Sequence, residues 1–171
     1  MKKHWLYLKY VVRHKYFVWV AGRVLGVSVW RLLIHDWTKF LPCEWGPYVD
    51  YFYGPKEMVF SPGCEPSTRP NKTKKAAFDA AWNHHQKQNK HHFQYYILNK
   101  DDGGVKTLQM PYKYAREMLA DWMGAGRAIT GKWDVWRWYE KNKDKMQIHS
   151  DTRAYVEELL EFDAKELLRT K

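Results

Sequence analysis

The sequence predicts a compact, single-domain, all-α helical bundle, and three observations support this prediction. The chain has 171 residues, of which 45% are hydrophobic, which is enough to bury a core and excludes a disordered or fibrous chain. Apolar residues recur at steps of three and four along several long segments, which is the spacing of one helical face. The sequence contains neither strand-like alternation nor an internal repeat. We therefore expect residues 1–171 to form one domain.

The first helix is predicted from Lys3 to Leu25, and Gly26 is expected to stop it. One histidine lies within the apolar stripe of this helix, which should face the interior. The members of the stripe are Tyr7, Val11, His14, Val18, Ala21 and Leu25. The apolar segment 27–34 then leads into the dipeptide His35-Asp36.

The middle of the chain is predicted to contain a helix, a long loop and a second helix. Pro42 is well placed at the first helical position, and this helix should end near Gly54. Residues 54–75 are rich in proline and are expected to form a loop, which could act as a lid. Its basic residues either attract phosphate or form a solvated surface, and they are Arg69, Lys72, Lys74 and Lys75.

The helix predicted for residues 76–98 carries polar residues on an otherwise apolar and aromatic face. Its stripe is Phe78, Ala81, Trp82, His85, Asn89, His92 and Tyr96. Pro111 is expected to open a further helix, whose face includes Glu117 and Asp121. A last amphipathic helix is expected over residues 150–171. Every predicted element is therefore helical.

The composition limits the partners and the compartment. The formal net charge is +10, which either serves solubility or draws in an anionic partner such as a nucleotide or a nucleic acid. The ten tryptophans and twelve tyrosines are compatible with base stacking, although most aromatic residues form core. Basic residues interrupt the apolar N-terminal region, so no membrane span or membrane partner is expected. The two cysteines form no C-x-x-C motif, which favours a reduced, cytoplasmic protein.

Four residues from separate segments combine the ligand types of a metal site. His14 and His35 offer imidazole nitrogens, and Asp36 and Asp121 offer carboxylates. An unpaired carboxylate on an apolar helix face would be costly, and a metal would remove that cost. Imidazole and carboxylate together suit a divalent ion, which is catalytic when a position remains open to water. A single histidine is more often an ordinary core or surface residue, but the four together predict a metal site.

Two histidine pairs occur in the helix predicted after the loop. His85 and His92 are two turns apart, which separates them by about 10 Å and places them on one face. They suit two different ions, or one ion and the substrate. A helix break near Lys90 would change this placement.

The order of these residues resembles a known signature. The ordered set His14, His35, Asp36, Lys39 and Asp121 resembles the H…HD…D signature of the HD-domain superfamily of metal-dependent phosphohydrolases. The second motif of that superfamily commonly reads HD-x-x-K. A longer pattern, which includes HDWTKF, EWGPY, FDAAWNHH and EMLADW, is similar to an uncharacterised family of small bacterial and phage proteins related to that superfamily. The likeness covers most of residues 14–122.

The resemblance implies an all-helical domain that binds one or two divalent ions, which could be Mn, Mg, Co, Ni, Zn or Fe. The ligands that it implies for the first ion are His14, His35, Asp36 and Asp121. In two-metal members the aspartate of the HD pair bridges to a second ion held by further histidines. His85 and His92 are the best positions for that role, and His84 and His91 are the reserves. The spacing of the N-H-H…K-H-H cluster departs from that of better-known members, so one ion and two ions both remain open.

These observations predict a metal-dependent phosphohydrolase that attacks a nucleotide or another small phosphorylated substrate with metal-activated water. Asp36, Lys39 and Glu117 are the expected catalytic residues. Lys39 would contact a phosphate or leaving oxygen, and Glu117 would act as a general base or support a ligand histidine. The residues expected to contact substrate are Lys39, Asn89, Trp37 and Trp82, although Asn89 could instead cap a helix break. The alternatives are a di-iron oxygenase of the HD type and a nucleic-acid-binding module with a structural metal.

Overall fold

The computed structural model describes residues 1–55 and 73–169. Within these ranges the chain forms seven α-helices, three short 3₁₀ turns and one two-stranded antiparallel hairpin. The helices are α1 (Lys2–Val24), α2 (Val29–Ile34), α3 (Pro42–Tyr53), α4 (Lys74–Gln88), α5 (Tyr112–Thr130), α6 (Val135–Asn142) and α7 (Ser150–Arg169). None of these described helices has the length and apolar character needed to cross a membrane. The predicted all-α class is confirmed.

The long helix α1 forms as its sequence predicts. All six residues of its stripe are buried, and Gly26 follows the helix with a left-handed φ of 69°, which glycine adopts without steric cost. α1 packs along α5. At their contact, a Cβ on Gly124 would lie 2.6 Å from the backbone nitrogen of Val18. Glycine at this position therefore permits α1 and α5 to approach each other closely.

Buried apolar residues form two clusters on either side of His14. The larger cluster, here called the apolar core, joins the C-terminal half of α1 with α5, α6 and α7, and includes Val18 and Leu160. The smaller cluster joins the N-terminal half of α1 with α3 and α4. Its buried residues are Tyr7, Val11, Tyr48, Val49 and Ala81. The stripe of α1 thus places His14 at the junction of the two clusters.

The prediction of one helix over residues 76–98 is wrong beyond Gln88. Thr73 caps the start of α4 by accepting a hydrogen bond of 3.0 Å from the N–H of Ala76. Asn89 has an extended conformation, with φ of −106° and ψ of 107°, and ends the helix. The chain therefore changes direction just before the second histidine pair.

The prediction of a chain without strands is also wrong at one place. Strand β1, Ile97–Asn99, pairs with strand β2, Val105–Thr107, in an antiparallel hairpin. Gly103 and Gly104 have φ values of 93° and 82° in the turn between them. Each strand has only three residues, which is too short for an alternating pattern to identify it.

The loop predicted over residues 54–75 begins where α3 ends at Tyr53, but α4 already begins at Lys74, two residues earlier than predicted. Residues 56–72 lie outside the described residues, and the possible lid, Arg69 and Lys72 lie there with them. Lys75 is on α4, where it pairs with Asp79 at 2.8 Å. This basic residue therefore belongs to the solvated surface of a helix.

Candidate metal centre

Four predicted ligands from three parts of the chain meet at one point, here called site A. His14 lies on α1, His35 and Asp36 follow α2, and Asp121 lies on α5. Nε2 of His14 lies 3.1 Å from Oδ2 of Asp36 and 3.2 Å from Oδ1 of Asp121. Nε2 of His35 lies 3.4 Å and 3.3 Å from the same two oxygens. The structure therefore brings together the four residues that the sequence motif combines.

Asp36 reaches this point through an uncommon backbone conformation. Its φ of 56° and ψ of 25° lie in the left-handed region, and it is the one non-glycine residue with a positive φ in the described part of the chain. Such a conformation costs on the order of 1–3 kcal/mol and is concentrated at functional sites. The side chain of Asp36 is buried. The strained residue is therefore the one at the centre of the ligand cluster.

A second group, here called site B, forms on the other oxygen of Asp36. Nε2 of His85 and Nε2 of His91 lie 3.2 Å and 3.3 Å from Oδ1 of Asp36. His92 completes the group, in which one ligand atom from each residue lies within 4.8 Å of the others. Asp36 therefore offers one carboxylate oxygen to each site, an arrangement that suits two neighbouring ions.

Site B differs from the predicted second group by one residue. His85 and His92 both belong to it, but so does His91, which the sequence ranks only as a reserve. Adjacent residues on a helix point about 100° apart, but α4 has already ended, so His91 and His92 can face the same centre. His84 remains on α4 and does not join, and 38% of its side chain is exposed. Asn89 was the available signal for the break, because asparagine is common at helix C-termini.

Two buried glutamates contact the histidines on their outer side. Glu117 accepts a hydrogen bond from Nδ1 of His35 at 3.1 Å, and Nδ1 of His91 lies 3.4 Å from the same oxygen. Glu44 accepts from Nδ1 of His85 at 2.8 Å. A proton on Nδ1 leaves Nε2 free to bind a metal. The glutamates therefore fix the histidine tautomers that a metal requires.

The contacts of Glu117 match one of its two predicted roles, the support of a ligand histidine. Glu117 is buried and also contacts Arg31, and it does not line the cavity described below. Glu44 is a residue that sequence reasoning missed, because an acid in the first turn of a helix is explained by the helix dipole alone. Its burial comes from the packing of α3 on α4, which has no local sequence signal.

Several buried polar atoms of the two sites need a partner that a metal would provide. Five histidine nitrogens and one carboxylate oxygen have no hydrogen-bond partner among the described residues. They are Nδ1 of His14, Nε2 of His35, His85, His91 and His92, and Oδ1 of Asp36. An unsatisfied buried atom costs about 1–3 kcal/mol, whereas two ligands of one ion, with bonds of about 2.0–2.2 Å, stand about 3.0–3.5 Å apart. The N···O distances of 3.1–3.4 Å between these side chains lie within the range expected for two ligands of one ion. The residues could therefore hold a metal ion.

The charges at the centre also favour a cation. Burial by itself would raise the pKa of Asp36, but His35 and Lys39 hold that pKa well below its usual range. Burial likewise opposes ionisation of Asp121, yet the adjacent imidazoles of His14 and His35 hold its pKa well below its usual range. Nζ of Lys39 lies 2.5 Å from Oδ2 of Asp36. Both aspartates are therefore ionised at neutral pH, and Lys39 is paired rather than free in solvent.

A cavity of about 610 Å³ adjoins both sites. Its polar wall consists of His14 and Asp121 from site A, His92 from site B, and Lys39. The other lining residues are aromatic or aliphatic, and they are Tyr10, Tyr48, Phe52, Tyr53, Phe78, Trp82, Ala125, Ala128 and Ile129. This volume lies in the range of small-molecule sites. The cavity therefore gives a small ligand access to residues of both sites.

The residues predicted to contact substrate fall into two groups. Lys39 and Trp82 line the cavity, and Trp82 stacks on His85 with ring centroids 5.6 Å apart. The prediction that Trp37 walls the cavity is wrong, because this residue begins a 3₁₀ turn, is 56% exposed and lies outside the lining. Asn89 also lies outside the lining, and its Nδ2 donates to the carbonyl oxygen of His85 at 2.9 Å. Asn89 therefore caps the end of α4.

A protein-family model matches most of the chain. No curated protein and no solved structure matches it. The model of a family of unknown function, DUF5662, matches residues 3–162, a range that contains every residue of sites A and B. The chain therefore belongs to the DUF5662 family.

Proposed function

We propose that the protein is a metal-dependent phosphohydrolase that works with two divalent ions. The observation that carries this proposal is the placement of Asp36, whose two oxygens face separate groups of histidines. Paired ions about 3.5–4 Å apart are typical of phosphatases and nucleases. The ligand order, which resembles that of HD-domain phosphohydrolases, supports the same reaction class.

The donor atoms favour transition metals. Site A contributes two histidines and site B contributes three, against two aspartates in total. Imidazole suits Zn, Fe or Ni, whereas Mg and Ca prefer oxygen ligands. When bound, such ions supply Lewis acidity and lower the pKa of the water that they bind.

Lys39 and the aromatic wall would bind the substrate. Burial lowers the pKa of Lys39, but the neighbouring Asp36 raises it above its usual value, so the ammonium group keeps its charge. In hydrolysis a water oxygen bonds to phosphorus, the ester P–O bond breaks, and the leaving oxygen takes up a proton. Lys39 would stabilise the negative charge on the phosphoryl oxygens during this change. Trp82 offers a face on which a nucleotide base could stack.

A screen for hydrolysis products, separated by chromatography, tests this proposal. The protein is loaded separately with Mn²⁺, Co²⁺, Ni²⁺, Zn²⁺ or Fe²⁺ and given nucleoside mono-, di- and triphosphates, cyclic nucleotides and short single strands. We expect hydrolysis of at least one substrate class, and Lys39→Gln should lower turnover about tenfold or more without loss of bound metal. Lys100→Gln, an exposed lysine of the turn after β1, is the matched control and should retain full turnover. Fully metal-loaded protein that hydrolyses none of these substrates would contradict the proposal.

The donor set also supports a second candidate function, a di-iron oxygenase. A histidine-rich site with a shared carboxylate suits a pair of irons. The same screen distinguishes the two reactions when it is repeated without oxygen. Hydrolysis proceeds anaerobically, whereas oxygenase turnover stops. Metal binding with no turnover under either condition would leave a structural metal.

A further inference from the structure

A second groove lies beside the metal cavity, on α5 and α6. Its volume is about 570 Å³. Two tryptophans and three cations line it, and they are Trp122, Trp138, Lys132, Arg137 and Lys141. The described lining contains one acidic residue, Asp134, which pairs with Arg137 at 3.4 Å. This ion pair is exposed and contributes little to stability. With three cations and one acid in its described lining, the groove presents positive charge next to aromatic rings.

The groove and the metal cavity share a wall. Ala125 and Ile129, one turn apart on α5, line both. Ala125 and Ile129 follow Asp121 of site A by four and eight residues of the same helix, which are rises of about 6 Å and 12 Å. Stacked nucleotides of one strand are about 3.4 Å apart. The shared wall therefore lies about two to four nucleotides from site A.

We propose that the substrate is the end of a short single-stranded nucleic acid, with the terminal nucleotide in the metal cavity and the following nucleotides in the groove. This inference rests on the proposed phosphohydrolase and names its substrate class. Single strands are bound by a combination of cationic grooves and aromatic side chains. The two rings of the groove have centroids 5.3 Å apart, and Trp138 is 44% exposed. A base can therefore reach a tryptophan face while cations lie beside its phosphate.

The metal cavity and the groove differ in charge, and this difference favours a strand over a mononucleotide as the substrate. Among the described residues, the lining of the metal cavity contains one cation, Lys39, and Asp36 already pairs with it. The phosphates that follow the first one need other cations. The neighbouring groove supplies them as Lys132, Arg137 and Lys141. A mononucleotide would leave this charged surface unused. A duplex would present its bases to each other, so that they could not stack on Trp138.

Binding of a fluorescein-labelled octathymidylate, measured by anisotropy, tests the inference. Metal-loaded protein with Asp36 intact is used, and the strand carries phosphorothioate linkages that slow its cleavage. We expect Trp138→Ala to weaken binding about tenfold, as loss of one stacked base does. The double variant Arg137→Gln, Lys141→Gln should reduce the slope of log affinity against log salt by about one to two. The matched controls are Trp30→Ala and the pair Lys100→Gln, Lys106→Gln, all exposed and outside both cavities.

The outcomes separate this inference from the function on which it rests. Equal binding by the groove variants and their controls, or tighter binding of a duplex than of the single strand, would overturn the inference. In metal-loaded protein with Asp36 intact, Trp138→Ala should lower hydrolysis of the octamer relative to hydrolysis of a mononucleotide. An unchanged ratio together with active hydrolysis would overturn the inference and retain the phosphohydrolase. Groove-dependent binding with no hydrolysis would overturn the phosphohydrolase and support the groove as a strand-binding site.

Discussion

The apolar core and the metal centre share α1 and α5, but different forces hold them. Val18 and Leu160 belong to a cluster of apolar side chains whose burial is favourable without any ligand. Sites A and B instead bury five histidines and two aspartates, a set with several unsatisfied atoms. Buried polar groups are stable only when they are paired. The core should therefore fold by itself, whereas the centre should depend on bound metal.

The largest expected effect is the loss of metal from both sites in Asp36→Ala. Asp36 is the one residue shared by sites A and B, and the neutral histidines that remain cannot replace its charge. We expect less than a tenth of the wild-type metal content after dialysis, measured by elemental analysis. Asp79→Ala removes an exposed aspartate on α4 and should bind as much metal as the wild type. If Asp36→Ala keeps one full equivalent of metal, Asp36 is not a shared ligand.

Chelation should separate the two regions of the wild-type protein. Removal of metal leaves the Nε2 atoms of the site B histidines unpaired, and of the two apolar clusters in the described residues only the smaller one includes α4. We expect faster hydrogen exchange in residues 81–93, while α7 keeps the protection of the apolar core. The melting temperature should fall as well, because metal that binds only the folded state stabilises it.

The control for chelation is Asp36→Ala, in which the chelator should change neither exchange nor melting. Uniform loss of protection along the whole chain would contradict a division between the core and the centre. Unchanged exchange in residues 81–93 would mean that no metal supports this segment.

The same division explains how far the sequence could predict the structure. The stripe of α1 repeats every three to four residues, and all of its members are buried, because local periodicity decides which face a helix buries. Site A was also predictable, since its polar residues lie on predicted apolar faces or in the HD pair. His91 and Glu44 were not predictable in the same way. Their places depend on where α4 ends and on how α3 packs against it, which are not local properties.

A variant of the apolar core provides the opposite test. Leu160→Ala removes a buried side chain of α7, which should lower the free energy of unfolding by about 2–5 kcal/mol. Metal content measured on folded protein should stay at the wild-type level, because Leu160 belongs to the apolar core and to neither metal group. Chemical denaturation and elemental analysis measure the two quantities. The exposed Leu33 supplies the control Leu33→Ala, with an expected change below about 0.5 kcal/mol. A parallel loss of metal would show that the two regions are coupled.

The smallest effects should come from the two glutamates, and they should differ between the sites. Glu117 contacts His35 of site A and His91 of site B, whereas Glu44 contacts only His85 among the ligands. Replacing a carboxylate behind a ligand histidine typically weakens metal binding about 10–100-fold. We therefore expect Glu117→Gln to weaken both binding events and Glu44→Gln to weaken one, as measured by competition titration with a chelating dye.

The comparison of these two variants is decisive because glutamine keeps the size of the side chain and removes its charge. Glutamine can also present its N–H₂ group to the histidine, which would favour the tautomer with the proton on Nε2 and block the metal ligand. Glu140→Gln, which removes an exposed partner of Lys143, should leave both affinities unchanged. If Glu44→Gln weakens both events equally, the two sites form one cooperative unit and do not bind their ions separately. If neither variant changes affinity, the glutamates serve packing alone, and the polar centre then resembles the apolar core more closely than its unsatisfied atoms indicate.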